Sequence, residues 1–349
     1  MRGRAQATAV VRRAAAARAT SVDVARAAGV SQAAVSLVLN GRAAGRVSAA
    51  TQERVRLAAE TLGYRANAAA QSLRLGRART VALVVPDIRN PFFAAVLRGA
   101  ERVARRTAHA VVLIDTDNRR GWQTLAQSAL AGGAVDGFVL CAVAAPRGPA
   151  FAGLRKRLVM LDAAERRLPS VQLDIVGGTR AALGHLVALG HRRIGHLGAA
   201  LPHATFARRA QEYRRVLQQA GLPVEAALER QAPIDPDAAR PIARELLEQR
   251  ERPTAVFCDD DVLAAALYKA AHDLGLTIPR DVSVVGFDDI ALARLLEPEL
   301  TTVAVPAERL GQVGMERLLA ALSGEATAAT PKLRVRLVVR GSTAPPLYV

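Results

Sequence analysis

The chain has 349 residues, 51% hydrophobic and 23% charged, with 48 Lys and Arg against 31 Asp and Glu and a formal net charge of +17. That balance excludes a wholly disordered chain, and the length is enough for about two to three domains with cores of their own. No apolar run approaches the roughly 20 residues of a membrane-spanning helix, so no membrane partner is expected. Cys141 and Cys258 are too few for a disulfide framework or a zinc quartet. Both sit in apolar runs (FVLCAV and AVFCDD), which predicts buried core thiols and fits a reducing cytoplasm.

The charge is unevenly placed. Residues 1–80 hold 14 arginines and three acids, a net of +11, whereas the other 269 residues have a net of only +6. A small basic front on a milder body suggests a polyanion-binding module with something attached. Residues 1–19 are rich in Arg and Ala and hold no acid. Arg12, Arg13 and Arg18 interrupt the apolar core a secretory signal needs. A flexible basic tail is expected there, or a start codon read too early.

Thr20 and Ser21 can cap a helix over 22–28, which Gly29 then breaks. Ser31 can cap a second helix running to 39, stopped by Asn40 and Gly41. Ser48 can cap a third, with Val55, Ala58, Ala59 and Leu62 inward and Gly63 closing it. Val24, Ala28, Val30, Val35, Val38 and Leu39 can share one inward cluster. A small helical bundle would show the same periodicity. The short Gly29-Val30-Ser31 turn and the excess of arginine favour a helix-turn-helix, whose second helix presents its early residues to the major groove.

The body alternates strands with amphipathic helices. Strands are expected over 80–87, 110–116, 136–142, 157–162, 192–198, 254–259 and 282–289, with a terminal strand over 333–343. Helices are expected over 90–106, 124–133, 178–190, 208–221, 239–249, 261–275 and 307–324. This pattern means parallel sheets covered on both faces, and the number of units predicts two α/β lobes side by side. Ligands of such sheets bind beyond the carboxyl ends of the strands. Asp87, Asn90, Phe92 and Phe93 follow the first strand, Asp162 ends the fourth, and Asp260, Asp261, Asp288 and Asp289 follow later ones. Carboxylates beside an aromatic wall suit a polyhydroxylated ligand.

The stretches TSVDVARAAGVSQAAVSLVLNGR (20–42) and RVSAATQERVRLAAETLGYRANAAAQSLR (46–74) resemble the DNA-binding head of the lactose/galactose-repressor (LacI/GalR) family. The resemblance continues through DIRNPFF, DGFVL, LGHRRIG, DVSVVGFDD, LTTV and the terminal RGST, so it covers about residues 20–349. It implies an all-α, lambda-repressor-like helix-turn-helix head at 20–66 and a hinge helix and linker at 67–79. An α/β two-lobed periplasmic-binding-protein-like effector domain would then occupy 80–349. It also implies roles for single residues. Gln32, Ala33 and Leu37 match base-reading positions, and Ser31, Ser36 and Asn40 match backbone-holding ones. Tyr64 and Asn67 match the entry to the hinge, residues 68–74 its helix, and Leu73 a minor-groove wedge. Phe92, Asp162, Arg209, Asp260 and Asp288 match the lining of the effector cleft. Of the reading positions only Gln32 can pair with a base edge, whereas Ala33 and Leu37 offer apolar contact, so more readout is expected from the wedge and from DNA deformability.

The chain departs from the family pattern at Asp260 (usually Asn), at Asp174-Ile175 (often Asp-Asn) and at Glu212 (usually Gly). These changes point to an altered effector, cationic or purely hydroxylated. Neither nucleotide-binding glycine motif nor a nucleophile elbow is present, so an enzyme is not expected. His191 and His196 straddle a helix-to-strand turn and read as packing residues; no metal or other cofactor is expected. A periplasmic sugar-binding protein is the other alternative, opposed by the basic head. The sequence therefore predicts a cytoplasmic transcriptional repressor. Its expected partners are pseudo-palindromic operator DNA and a small effector, expected to be a carbohydrate. It would act as a homodimer, because no heptad helix follows RGSTAPPLYV.

Overall fold

Three short helices begin the structure, a computed structural model that describes residues 19–64, 77–117, 121–143, 154–162, 168–325 and 331–347. They are α1 (Ser21–Ala28), α2 (Gln32–Leu39) and α3 (Ala49–Thr61). Each starts where a side-chain oxygen takes a free N–H. Thr20 accepts from Asp23 N (3.3 Å), Ser31 from Ala34 N (3.2 Å) and Ser48 from Thr51 N (3.3 Å). Asp23 reaches back to the Thr20 N–H (3.0 Å), completing a capping box. Gly29 adopts φ 63°, a left-handed turn that a residue with a β-carbon enters only at a cost. The bend between α1 and α2 is 103°, within the range of a helix-turn-helix.

The head's core is small: Val24, Ala25, Ala28, Val35, Val38, Ala43, Val55 and Ala59. One expected member is elsewhere. Leu62 is 40% exposed, because α3 ends at Thr61 and Gly63 (φ 57°) turns the chain. The Tyr64 N–H closes that turn on the Ala59 carbonyl (2.8 Å), and Tyr64 packs against the core in place of Leu62.

The chain divides into two units, Met1–Ala78 and Arg79–Val349. The second holds two six-stranded sheets. The first sheet contains β1 (Thr80–Val85), β2 (Ala110–Asp115), β3 (Gly137–Cys141), β4 (Leu158–Leu161) and β5 (Ser170–Leu173). The second contains β6 (Ile194–Ala199), β7 (Glu229–Ala232), β8 (Ala255–Cys258), β9 (Ser283–Asp288) and β10 (Thr301–Ala304). Two short strands near the C-terminus complete them, β11 (Lys332–Leu333) in the first and β12 (Arg336–Val338) in the second. The orders are β11-β5-β4-β3-β1-β2 and β12-β10-β9-β8-β6-β7, parallel throughout except for β12 against β10. The central strands β1, β3, β4 and β8 are almost wholly buried, as parallel strands covered on both faces must be.

Helices α4 (Pro91–Arg106), α5 (Trp122–Ala131) and α10 (Ala307–Ser323) pack on the first sheet. Helices α6 (Ile175–Ala188), α7 (Ala204–Gln219), α8 (Pro236–Leu247) and α9 (Asp261–Asp273) pack on the second. The chain therefore crosses between lobes after β5, after β10 and after β11. The expected terminal strand over 333–343 is corrected by the last crossing, which splits it into strands of two different sheets. Its side chains alternate without interruption, with Lys332, Arg334 and Arg336 exposed and Leu333, Val335 and Leu337 half-buried, so the sequence shows no break. Strands β5, β7 and β10 were also not expected, being only four residues long and, in β7 (ERQA), polar.

Helices α4 and α10 meet at two glycines. A β-carbon on Gly99 would strike the Glu308 carbonyl, and one on Gly311 the Val96 carbonyl, so the two backbones touch there.

Candidate functional site

In the head, the expected reading residues share one face of α2. Gln32, Ser36 and Asn40 stack one turn apart, with Ala33 and Leu37 beside them. Ser31, Gln32 and Ala33 are exposed, and Ser36, Leu37 and Asn40 half-buried. Gln32 donates to the Ser21 hydroxyl (2.7 Å), and the Asn40 amide donates to the Ser36 carbonyl (2.6 Å) and hydroxyl (3.1 Å). Asn67, Leu73 and the rest of the expected hinge at 68–74 lie outside the described residues, as does the tail up to residue 18.

In the body, the carboxyl ends of both sheets converge on one cavity of about 150 Å³. Phe92, Asp162, Arg209, Asp260 and Asp288 all line it, the first two from one lobe and the others from its neighbour. Asn90 caps α4 by accepting from Phe92 N (2.9 Å), and Pro91 fills the first helical position. This start aims Phe92 into the cavity, with the Phe93 ring edge-on 5.3 Å away. Asp162 follows β4 at φ 52° and Asp288 ends β9 at φ 108°. Backbone of this kind is strained for a residue with a side chain and is concentrated at ligand sites. Arg209 sits on α7 one turn before Tyr213, whose hydroxyl donates to the Ile194 carbonyl (2.7 Å) and moors the helix on β6.

Buried polar groups meet an apolar wall in the cavity. Arg209 is 4% exposed, donates through Nη1 to the Asp259 carbonyl, and places its Cζ over the Phe287 ring, 3.6 Å from the ring centre. Its Nε is buried without a hydrogen-bond partner, while Asp162 is set against the Thr205 hydroxyl and has Arg208 Nη2 3.6 Å from its Oδ1. Burial raises the Asp162 carboxyl above its ordinary range. Asp260 accepts from Val262 N (2.7 Å) and, across the cleft, from the Asn90 amide (2.8 Å). Burial also raises Asp260, while burial and then the Asp260 charge raise Asp288 well above the usual carboxylate range. Both carboxyls line the same cavity, where the Arg209 charge acts on each against the effect of burial. Behind them, burial pushes Asp261 up to about 8, while it accepts from Thr302 Oγ1 (2.6 Å) and Ile290 N (2.9 Å).

Of the three departures from the family pattern, only Asp260 lines the cavity. Glu212 is buried on α7 between Arg180 (2.8 Å) and Arg215 (3.3 Å). Asp174 caps α6 and pairs with Lys332 (2.5 Å) at a crossing. Thr205 was missed, having no signal beyond its place in the first turn of a helix. His191 bonds Thr254 Oγ1 and the Ala344 carbonyl (both 2.9 Å), and His196 is stacked between Tyr213 and Phe257.

A helix-turn-helix joined to a two-lobed α/β unit with a cleft lined by buried polar side chains defines a ligand-controlled DNA-binding regulator. Residues 21–67 match the family described as bacterial regulatory proteins, lacI family, and residues 183–343 match the periplasmic binding protein-like domain. The chain is 31% identical to the HTH-type transcriptional repressor CytR of Escherichia coli K12, over 93% of this chain and 96% of that one. Among solved structures, a lac repressor dimer bound to operator and the anti-inducer ONPF aligns with a TM-score of 0.82 at 26% identity, covering 94% of this chain and 99% of that one. A complex of the transcriptional regulator CelR with cellobiose aligns at 0.67 and 30% identity, covering 93% and 100%. The chain belongs to the lacI family: it is a DNA-binding transcriptional regulator of the repressor type, with a periplasmic-binding-protein-like effector domain. No single helix among the described residues is long and apolar enough to cross a membrane.

Proposed function

We propose that the protein represses transcription in the cytoplasm as a homodimer on a pseudo-palindromic operator, and that a sugar-like effector held between its lobes sets operator affinity. The observation that carries the effector half is the cleft. Buried Arg209 Nε lines the cavity without a hydrogen-bond partner, and Asp162 and Thr205, set against each other and Arg208, line it beside Arg209 with hydrogen-bonding capacity to spare. A polar atom left in this state costs about 1–3 kcal/mol, which a hydroxylated ligand relieves. Phe92 packs on the ligand's apolar face, Asp162, Asp260 and Asp288 take its hydroxyls, and Arg209 donates. In the head, Gln32, Ala33 and Leu37 meet base edges while Ser31, Ser36 and Asn40 hold phosphates. Asn67 opens the hinge and Leu73 wedges the minor groove. The cleft binds its ligand without chemical change, as the repressor relatives suggest.

The Asn90–Asp260 bond couples the two walls, so an effector that replaces or reinforces it biases lobe closure and, through the hinges, the seating of the two heads. A thermal-shift screen of sugars finds the effector through the stabilisation it confers. Asp288→Ala should then weaken effector binding about 100-fold and leave operator affinity within about threefold of wild type. Loss of operator binding in the variant, or an undiminished effector response, would reject the assignment.

A further inference from the structure

Behind the cleft, a histidine and an aspartate are buried among aromatic rings. His196 on β6 and Asp259, just past β8, are 3% and 1% exposed. Asp259 is tied to β6 three times. Its Oδ1 accepts from His196 Nε2 (3.1 Å), its Oδ2 accepts from Ala199 N (3.0 Å), and its own N–H donates to the Leu197 carbonyl (3.0 Å). A carboxylate can only accept, so the histidine directs an N–H at it. His196 is held in turn between the rings of Tyr213 (centres 5.0 Å apart) and Phe257 (5.5 Å). A β-carbon on Gly198 would lie 3.2 Å from the His196 ring and 3.3 Å from Asp259 Oδ2, so glycine keeps that space clear for the pair.

Both residues lead to the same side chain in the cleft. The Asp259 carbonyl accepts from Arg209 Nη1, and Arg209 Cζ stands over the Phe287 ring, which meets Phe257 edge-on at 6.4 Å. Two routes therefore run from His196 to one guanidinium, hydrogen bonds through Asp259 and ring contacts through Phe257 and Phe287. The Nε of that guanidinium is left without a partner, and Arg209 lines the cavity. On their other side, His196 and Asp259 border a second cavity of about 420 Å³ with Gly198, Ala207, Ala210 and Gln231. Packing is open there, so hydrogen bonds have to hold the carboxyl in place. Two apolar side chains would fill these positions without desolvating a charge. What a satisfied polar pair adds is a single fixed arrangement.

Resting on the effector reading above, we infer that His196 and Asp259 are positioning residues for the effector: through the Asp259 carbonyl they hold the Arg209 guanidinium in the one orientation that meets the hydroxyls of a neutral sugar. Neither residue lines the effector cavity, so each acts through Arg209. An arginine fixed before binding loses little freedom when the sugar arrives, and that saving appears as affinity. Without the pair the guanidinium is aimed at the sugar in only a fraction of the molecules, and the apparent affinity falls by that fraction.

Isothermal titration of the full chain with glucose, galactose, ribose and cellobiose tests this. For whichever of these binds wild type most tightly, His196→Phe is expected to weaken binding at least about tenfold, because the ring stays and the N–H is lost. His196→Gln, whose Nε2 can reach the same carboxyl, should bind within about threefold of wild type. Core filling alone gives the reverse order, since Phe keeps the stack between Tyr213 and Phe257 and Gln does not. The double variant His196→Phe with Asp259→Ala leaves no buried carboxyl unpaired, so its melting temperature should return towards that of wild type while its sugar affinity stays low. Binding in His196→Phe as tight as in His196→Gln, or tighter, overturns the inference. If His196→Phe does not fold, the double variant decides, and wild-type affinity there overturns it. Binding of none of the sugars to wild type also overturns it. The effector reading falls only to a different result, that no cleft ligand of any class alters operator affinity.

Discussion

The head and the body keep their working side chains in opposite environments. On α2, Gln32 and Ala33 are exposed, and the amides of Gln32 and Asn40 bond to neighbouring hydroxyls or carbonyls. In the cleft, Asp162, Thr205 and Arg209 are buried with hydrogen-bonding capacity left over. The contrast follows from the ligands. A DNA duplex is large and charged, so a reader can stay wet and trade water for phosphate on arrival. A small effector supplies few contacts, so each must be made in a dry site and prepared in advance. The scaffolds differ accordingly: the head holds its helices with eight buried apolar residues, while the body closes two sheets and three crossings around the cleft.

Salt should separate the two regions most widely. Operator affinity is expected to fall by about three orders of magnitude between roughly 50 and 200 mM salt, because binding releases the counterions of the duplex. Effector affinity should change less than about threefold, since buried charges are screened little. Fluorescence anisotropy and calorimetry measure the two, and parallel declines would erase the distinction. Core substitutions come next. Val55→Ala should cost the head about 2 kcal/mol, a large share of what so small a core supplies. Gly311→Ala should cost the body about 1–3 kcal/mol or more by driving α10 into the Val96 carbonyl. Each should lower one transition in a thermal scan and leave the other in place; a single transition moved by both would show that the units fold together.

The smallest difference lies in pH, where the two regions have opposite signs. Thr20 hydrogen bonds hold Asp23 in the head below the usual carboxylate range. Its contribution is present above about pH 4 and lost as pH falls through the lowered value. Burial holds Asp261 in the body up, to about 8. Its contribution is complete below about pH 4 and is lost as pH rises through about 8. The wild-type body should therefore lose a few degrees of melting temperature relative to Asp261→Asn between about pH 5 and 8. The head should lose its advantage over Asp23→Ala only on acidification. A gap that stays constant with pH in either pair removes the corresponding carboxyl from the account.

Much of this was readable in the residues. Thr20, Ser31 and Ser48 announced three helix starts because a capping oxygen is a local need, met within three residues. The acids at strand ends stood out because an apolar run terminated by Asp has one place to go in a parallel sheet. Other features were not readable. Glu212 is a departure from the family pattern that points to an altered effector, yet the helix turns it towards Arg180, outside the cavity lining. Leu62 fitted an inward spacing that the chain leaves one residue earlier. Thr205 is an ordinary helix-start residue until the Asp162 wall lies opposite it.

The amino-acid sequence by itself determined the helix-turn-helix, the alternation of strands and helices, and the residue types at the strand ends, because each depends on neighbours within a turn or two. Only the tertiary structure decided that the terminal strand serves two sheets, that Gly99 and Gly311 let two helix backbones touch, and that Asp162, Arg209, Asp260 and Asp288 line one cavity. Contact and burial between segments far apart in the chain set those features, and no local pattern carries that information.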